Sequence, residues 1–402
     1  MTRKVVDPNI REEGAAEQLN RLLIVAGDLG LGGAEKQLVE LVSALTGVGV
    51  VVAVHLFDSG LHYDEAVRAA GATIHSPPKG LLGGGDPFRR GIDVSRLARR
   101  FRPDLVIAWR FYLNPYAAIA AQACGVRSLG AVREDLSDAF EGVGRLAPLC
   151  LRAPSAIVTN SERSARALNG KGVAVRVLAN VIDIAAFDTV GANGCIEPAT
   201  IPSGRPFVIG VGTLKREKRF DVLLEAFAEL IGFDDGAPTP FLGIVGDGPL
   251  RAALMLRATQ LGLTSDHVAF LGSRNDVPAL LHRASLFVLS SEQEGTPNVI
   301  LEAMAAGRPV VTTDVGDAAV LVQHQQTGLV VPPNAPAALA SAMGTVLRDN
   351  ELAAAFGIAG RQAVSTYGTQ GLAQRAQALF SEFTKTATPI EGVRRVRHRW
   401  NH

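Results

Sequence analysis

Cysteine is scarce in this chain: three among 402 residues, Cys124, Cys150 and Cys195, with no C-x-x-C pair. That excludes a disulfide framework and fits a reducing compartment. Aromatic side chains make up only 5% of the sequence. No apolar run approaches the ~18 residues that a membrane-spanning helix requires. The best candidate, Val48 to Phe57, is strand-sized and interrupted by Gly49 and His55. An excess of one charge is also missing. Forty basic side chains face thirty-nine acidic ones, a net charge of +1, which excludes a general nucleic-acid binder. The segment MTRKVVDPNIREEG has no apolar h-region, so the sequence predicts a cytoplasmic protein without a secretion signal. Among the eight histidines the one H-x-x-x-H spacing is His398 and His402 in the basic tail, no H-E-x-x-H is present, and neither D-x-D nor G-x-S-x-G occurs. These absences predict no metal and no cofactor, and point to chemistry by positioning and electrostatics.

Aliphatic side chains and glycine are abundant. The hydrophobic fraction is 47%, and there are 42 glycines. Short β-branched runs alternate with helical patterns, which predicts βαβ units and parallel sheets. Runs such as RLLIVAG, PFVIGVG and ASLFVLS are apolar on both parities, as strands covered on both faces require. Seven candidate strands precede residue 180 and six follow residue 205. Between the two series lies DTVGANGCIEPATIPSG, a Gly- and Pro-rich linker. The predicted organisation is a flexible 1–19, an N-terminal lobe 20–187, a linker 188–204 and a C-terminal lobe 205–368. A helix 369–385 and a flexible basic tail 386–402 complete the chain. The fold class is α/β, with two doubly wound, Rossmann-like lobes facing a central cleft that encloses the strands' carboxyl ends.

The most informative stretch is SSEQEGTPNVILEAMAAGRPVV, from Ser290. A helix is predicted from about Thr296, with Thr296 as N-cap and Pro297 at the first helical position. The backbone N–H groups of Asn298 and Val299, aided by the helix dipole, form an anion site suited to a pyrophosphate. Thr296 can equally cap those groups itself. Glu294 and Glu302 lie at different depths along this helix. There they can accept hydrogen bonds from hydroxyls at the two ends of a ligand. After the first strand of the second half comes Lys215-Arg216-Glu217-Lys218-Arg219, a cationic loop that can hold a diphosphate. Glycine-rich turns follow two further strands, Gly246-Asp247-Gly248-Pro249 and, in the first lobe, Gly27-Asp28-Leu29-Gly30-Leu31-Gly32-Gly33. Arginines at 89, 90, 96, 99, 100 and 102 oppose only Asp93 before Asp104. This is a solvated helix face or a peripheral contact with an anionic membrane surface.

Taken together, these residues resemble the family 4 glycosyltransferases, retaining enzymes of the GT-B fold. The E-x7-E pair matches Glu294 and Glu302. Gly32-Gly33-Ala34-Glu35, Asn180-Val181-Ile182-Asp183, Gly212 with Lys218, Gly246-Asp247-Gly248-Pro249 and Phe270-Leu271-Gly272 match in order along the chain. The resemblance implies a hexose or N-acetylhexosamine moved from a UDP- or GDP-sugar to a glycan or lipid-linked glycan. The setting it implies is polysaccharide or glycoconjugate synthesis, which the 89–102 arginine cluster would place at the inner face of a membrane. Glu294 and Lys218 are then the catalytic candidates. Gly32, Gly33, Gly212, Thr213, Arg216, Gly246, Ser273, Arg274, Thr296, Pro297, Asn298, Val299 and Glu302 join Lys218 around the donor, and Arg110 and Arg133 stand on the acceptor side. The last helix is expected to return to the N-terminal lobe.

Three positions depart from the family pattern. Thr213 stands where arginine is common, and Gly316-Asp317-Ala318-Ala319-Val320 replaces G-G-x-x-E. Ala131-Val132-Arg133-Glu134 lacks the histidine that usually faces donor sugar and acceptor. A sugar-nucleotide 2-epimerase of the same fold is a first rival reading, which the E-x7-E context fits less well. Thr213 with the missing histidine keeps open a second, a non-catalytic sugar-nucleotide-binding scaffold in polysaccharide assembly.

Overall fold

The computed structural model describes residues 19–30, 32–58, 62–76, 86–192, 201–232 and 238–384. Most of the 1–19 segment, residues 193–200 of the expected linker and the basic tail lie outside them.

Seven strands form one parallel sheet: β1 (Arg21–Ala26), β2 (Val51–Leu56), β3 (Thr73–His75), β4 (Leu105–Ala108), β5 (Arg127–Val132), β6 (Ala156–Thr159) and β7 (Val175–Val177). Their order is β3-β2-β1-β4-β5-β6-β7. Six more form the second: β8 (Phe207–Val211), β9 (Phe241–Val245), β10 (Val268–Gly272), β11 (Leu286–Leu289), β12 (Val310–Thr313) and β13 (Gly328–Val331), in the order β10-β9-β8-β11-β12-β13. Each strand expected from the sequence is present. In β1, Leu22, Leu23, Ile24 and Val25 are all fully buried, because helices cover both faces of the sheet.

Strand order reverses between β1 and β4 in one sheet and between β8 and β11 in the other. Loops leaving the carboxyl ends of such neighbours splay to opposite faces and open a crevice. The glycine-rich loop after β1, Arg110 after β4, the cationic loop after β8 and Glu294 after β11 all start there.

The helix Ile184–Ala192 carries the chain past Asp188, so the segment read as linker begins as helix. The last helix, Leu372–Thr384, returns to the first lobe. Leu372, Ala376, Leu379, Phe380 and Phe383 join Leu41, Leu45, Leu105 and Trp109 in one buried cluster. Their helical spacing forms a single apolar stripe. Burying a phenylalanine such as Phe380 contributes about 2–3 kcal/mol, so this docking ties the end of the chain firmly to its first lobe.

Candidate active site

The wall contributed by the second lobe is built around β11 and the helix Asn298–Ala305. That helix starts later than the sequence predicts. Pro297 occupies the N-cap, and no side chain caps the helix start. Thr296 is drawn elsewhere: its hydroxyl lies 2.8 Å from the Asn160 carbonyl and 3.0 Å from an Asp317 carboxylate oxygen, two acceptors for one proton. Tertiary partners outcompete the local cap, and the N–H groups of Asn298 and Val299, which cannot bond within the helix, line the cleft. Upstream, the Glu294 loop passes close to Gly316, whose φ is +50°. A Cβ at Gly316 would stand 2.1 Å from the Gly295 carbonyl oxygen, so only glycine fits there.

Lys218 Nζ reaches Glu294 Oε1 at 2.6 Å, and the Ser291 hydroxyl donates to the same oxygen at 2.7 Å. The two catalytic candidates thus form one part-buried ion pair on the cleft wall. The cationic loop divides. Lys215 and Lys218 face the cleft, together with Gly212 and Thr213. Arg216 is exposed outside it. Arg219, in the left-handed region at φ +47°, pairs with Asp221 and Glu292 and bonds Asn334. The loop therefore offers two cations rather than four. Arg274 lines the cleft but pairs with Asp276. Ser273 is exposed outside the cleft. Gly246 also lies outside, and acts through packing: a Cβ there would stand 2.0 Å from the Gly212 carbonyl oxygen.

The first lobe closes the other side. A Cβ at Gly33 would meet the Asn298 amide nitrogen at 2.6 Å, and that nitrogen donates to the Gly33 carbonyl at 2.8 Å. The glycine pair lies directly over the start of the helix Asn298–Ala305. Lys36, one turn further, reaches Glu302 Oε1 at 2.5 Å. Burial disfavours the Lys36 ammonium, but the Glu302 carboxylate beside it outweighs that and raises its pKa. Asn180 donates to Asn298 Oδ1 at 2.7 Å and to the Thr296 carbonyl at 3.1 Å. Buried Asp317 accepts from the Ser161 hydroxyl and from the N–H groups of Glu162 and Arg163, at the start of the helix Glu162–Leu168. The cleft between the lobes encloses about 810 Å³.

At the ends of β4 and β5 stand Arg110 and Arg133. Arg110 bonds Glu35 at 2.5 Å and lies 4.0 Å from Glu134. Burial works against the Arg110 charge, yet these carboxylates raise its pKa. The Arg133 guanidinium lies 3.5 Å from the centre of the Trp109 ring. Burial, with Arg110 nearby, lowers its pKa to about 9.

Residues 31–186 match the family described as Glycosyltransferase Family 4, and residues 196–363 match Glycosyl transferases group 1. The chain belongs to the family 4 glycosyltransferases. It is 29% identical to a lipopolysaccharide core biosynthesis glycosyltransferase of Rhizobium meliloti, over 80% of this chain and 87% of that one. It is also 29% identical to a GDP-mannose-dependent alpha-(1-6)-phosphatidylinositol monomannoside mannosyltransferase of Mycobacterium tuberculosis, over 86% of this chain and 94% of that one. Among solved structures, Anabaena HepE in complex with UDP and glucose superposes with a TM-score of 0.76 at 24% identity, covering 90% of this chain and all of that one.

In this glycosyltransferase, sequence reasoning missed the residues that join the walls. Lys36 follows the Gly32-Gly33-Ala34-Glu35 motif directly, and its spacing from Gly33 was the available signal. Asp317 stood in plain view as a departure from G-G-x-x-E. Glu35 and Asn180 stand in motifs that match the family but with no role attached to them, and Trp109 gave no signal of its own, because their roles depend on partners far away in sequence.

Proposed function

We propose that this glycosyltransferase moves a hexose or N-acetylhexosamine, with retention, from a UDP- or GDP-sugar to a glycan or lipid-linked glycan. The observation that carries this reading is the order of groups along one wall: the Lys218–Glu294 pair, the free N–H groups of Asn298 and Val299, then Glu302. Lys218 and the helix start take the donor diphosphate, where negative charge grows as the glycosidic bond breaks. Glu302 accepts from the ribose hydroxyls and Glu294 from a hydroxyl of the sugar. Backbone near Ser273 and Arg274 meets the base, and the Gly32-Gly33 loop covers the donor. Lys36 must then share Glu302 with the ribose or give it up. The acceptor hydroxyl attacks from the face that the diphosphate leaves, and its proton passes to the departing phosphate oxygen. Since Lys218 and the helix start neutralise that charge, chelation by EDTA should leave turnover unchanged.

The mycobacterial relative is named for a phosphatidylinositol mannoside and the Rhizobium one for lipopolysaccharide core, which favours a lipid-linked acceptor. The helix Pro87–Phe101 supports membrane contact. Arg89, Arg96, Arg99 and Arg100 are exposed along it, beside exposed Phe88 and Ile92. Among the described residues no helix is long and apolar enough to cross a membrane. Co-sedimentation with phosphatidylglycerol vesicles at low salt, lost at high salt, tests this peripheral contact. The donor reading is tested by incubating the protein with UDP- and GDP-sugars, with and without candidate acceptors, and following diphosphate release. Acceptor-dependent release supports transfer, and sugar interconversion without acceptor replaces it with the epimerase. Binding without turnover would leave only a scaffold.

A further inference from the structure

Arg133 is the one guanidinium on the cleft wall without a salt bridge or hydrogen bond among the described residues. It is 9% exposed, and its Nε is buried without a hydrogen-bond partner. The nearest acidic groups are engaged elsewhere, Glu35 bonding Arg110 and Glu134 facing Arg110 at 4.0 Å. Its one strong contact is the face of Trp109, whose indole N–H donates to the Ala34 carbonyl at 2.8 Å. An aromatic face returns only part of what a guanidinium loses on leaving water. A buried cation on a cleft wall with idle donors is a site for an anion that arrives with the ligand. Glu134 Oε2 beside it is also buried without a hydrogen bond, and suits a hydroxyl. The donor diphosphate is already provided for on the opposite wall, by Lys218 and the start of the helix Asn298–Ala305.

We propose that the acceptor carries a phosphate ester close to the hydroxyl that is glycosylated. Arg133 binds that group, and Glu134 accepts a hydrogen bond from a neighbouring hydroxyl. The word acceptor rests on the transfer reading above; the anion site itself does not.

The test uses Trp109 as reporter. The chain has two tryptophans, so a Trp400→Phe background leaves Trp109 as the only tryptophan emitter, read by excitation beyond the tyrosine band. Inorganic phosphate should change that emission saturably. Arg133→Gln should weaken the response at least tenfold, Arg133→Lys should restore part of it, and Lys218→Ala should leave it in place. A response that survives Arg133→Gln, or disappears in Lys218→Ala, overturns the proposal, because the phosphate would then occupy another site. The melting temperature of Arg133→Gln should be unchanged or higher. A clear fall, with the phosphate response intact, would reduce Arg133 to a stacking role. Glucose 6-phosphate and phosphatidylglycerol vesicles, each competing with phosphate, separate a soluble ester from a lipid headgroup, and competition by neither refutes the acceptor assignment. UDP and GDP binding is measured on the same preparations. If neither nucleotide binds, the donor reading fails whatever phosphate does.

Discussion

On the wall of the cleft built by the second lobe, most charges are already matched, Lys218 with Glu294, Arg274 with Asp276, and Glu302 with Lys36 from across the gap, while Lys215 stands exposed beside them. On the facing wall Arg110 is matched by Glu35, while Arg133 has only an aromatic ring. The two walls therefore meet a ligand differently. A diphosphate sugar binding the matched wall must exchange partners, so its affinity is a difference between old and new hydrogen bonds. An anion binding the unmatched wall adds an interaction where the protein supplies none. The matched wall is also shared between lobes, which couples donor binding to how the lobes sit together. The unmatched wall belongs to the first lobe alone.

Substitutions can break this contrast, and the largest effect is expected on the matched wall. Lys218→Ala removes the cation proposed to face the leaving group and should slow transfer by roughly 100- to 1000-fold. The phosphate response at Trp109 should persist. Steady-state kinetics beside the fluorescence titration will show whether the two walls are separable.

Next in size is the seam between the lobes. Asp317→Ala strips the acceptor from the Ser161 hydroxyl and from the N–H groups of Glu162 and Arg163, and frees Thr296 to act as the local cap that the sequence suggests. A loss of about 2–3 kcal/mol is expected in urea denaturation. Unchanged stability would mean that the seam is held by packing rather than by this carboxylate.

A smaller effect is expected for Glu302→Ala. It should weaken nucleotide-sugar binding by about tenfold, since the proposed ribose contacts would be lost together with the Lys36 pair they displace. Calorimetry measures this directly, and tighter binding would show that the Lys36–Glu302 contact obstructs the donor rather than shaping its site.

The smallest concerns pH. Burial, then Asp135 and the neighbouring acids Glu217, Glu141 and Glu134, raise the Asp138 carboxyl to about 6. Asp138 lines the same cleft. As pH falls through that value the carboxyl takes up a proton and the cleft loses a negative charge, so anions bind more tightly on the acid side. Sulfate, whose charge is constant in this range, should gain a few-fold in affinity from about pH 7 to about pH 5. Asp138→Asn should flatten the gain.

The sheets and the matched wall were largely legible in the sequence. A buried parallel strand is written as a contiguous apolar run, and a strand-end loop delivers its residues together, so Gly212, Lys218, Glu294 and Glu302 could be found by position. The errors have one cause. The local sequence marks Thr296 as an N-cap; in the fold its hydroxyl finds Asn160 and Asp317. Arg216 and Arg219 adjoin Lys218 in the cationic loop, yet one faces solvent and the other pairs with Asp221 and Glu292.

The sequence by itself determined the α/β class, the two lobes, the family and the residue types at the strand ends. Each of these depends on hydrophobic periodicity or on chemistry carried within a few neighbouring positions. Only the tertiary structure decided which charges are matched. Lys36 and Glu302, 266 positions apart, pair because the lobes meet. Nothing in their local sequence separates Arg133 from Arg110: both follow the end of a buried strand. Glu35 folds back to Arg110 and leaves Arg133 against Trp109. Electrostatic energy depends on distance through space and on exclusion of water, and neither is a property of a residue's neighbours along the chain.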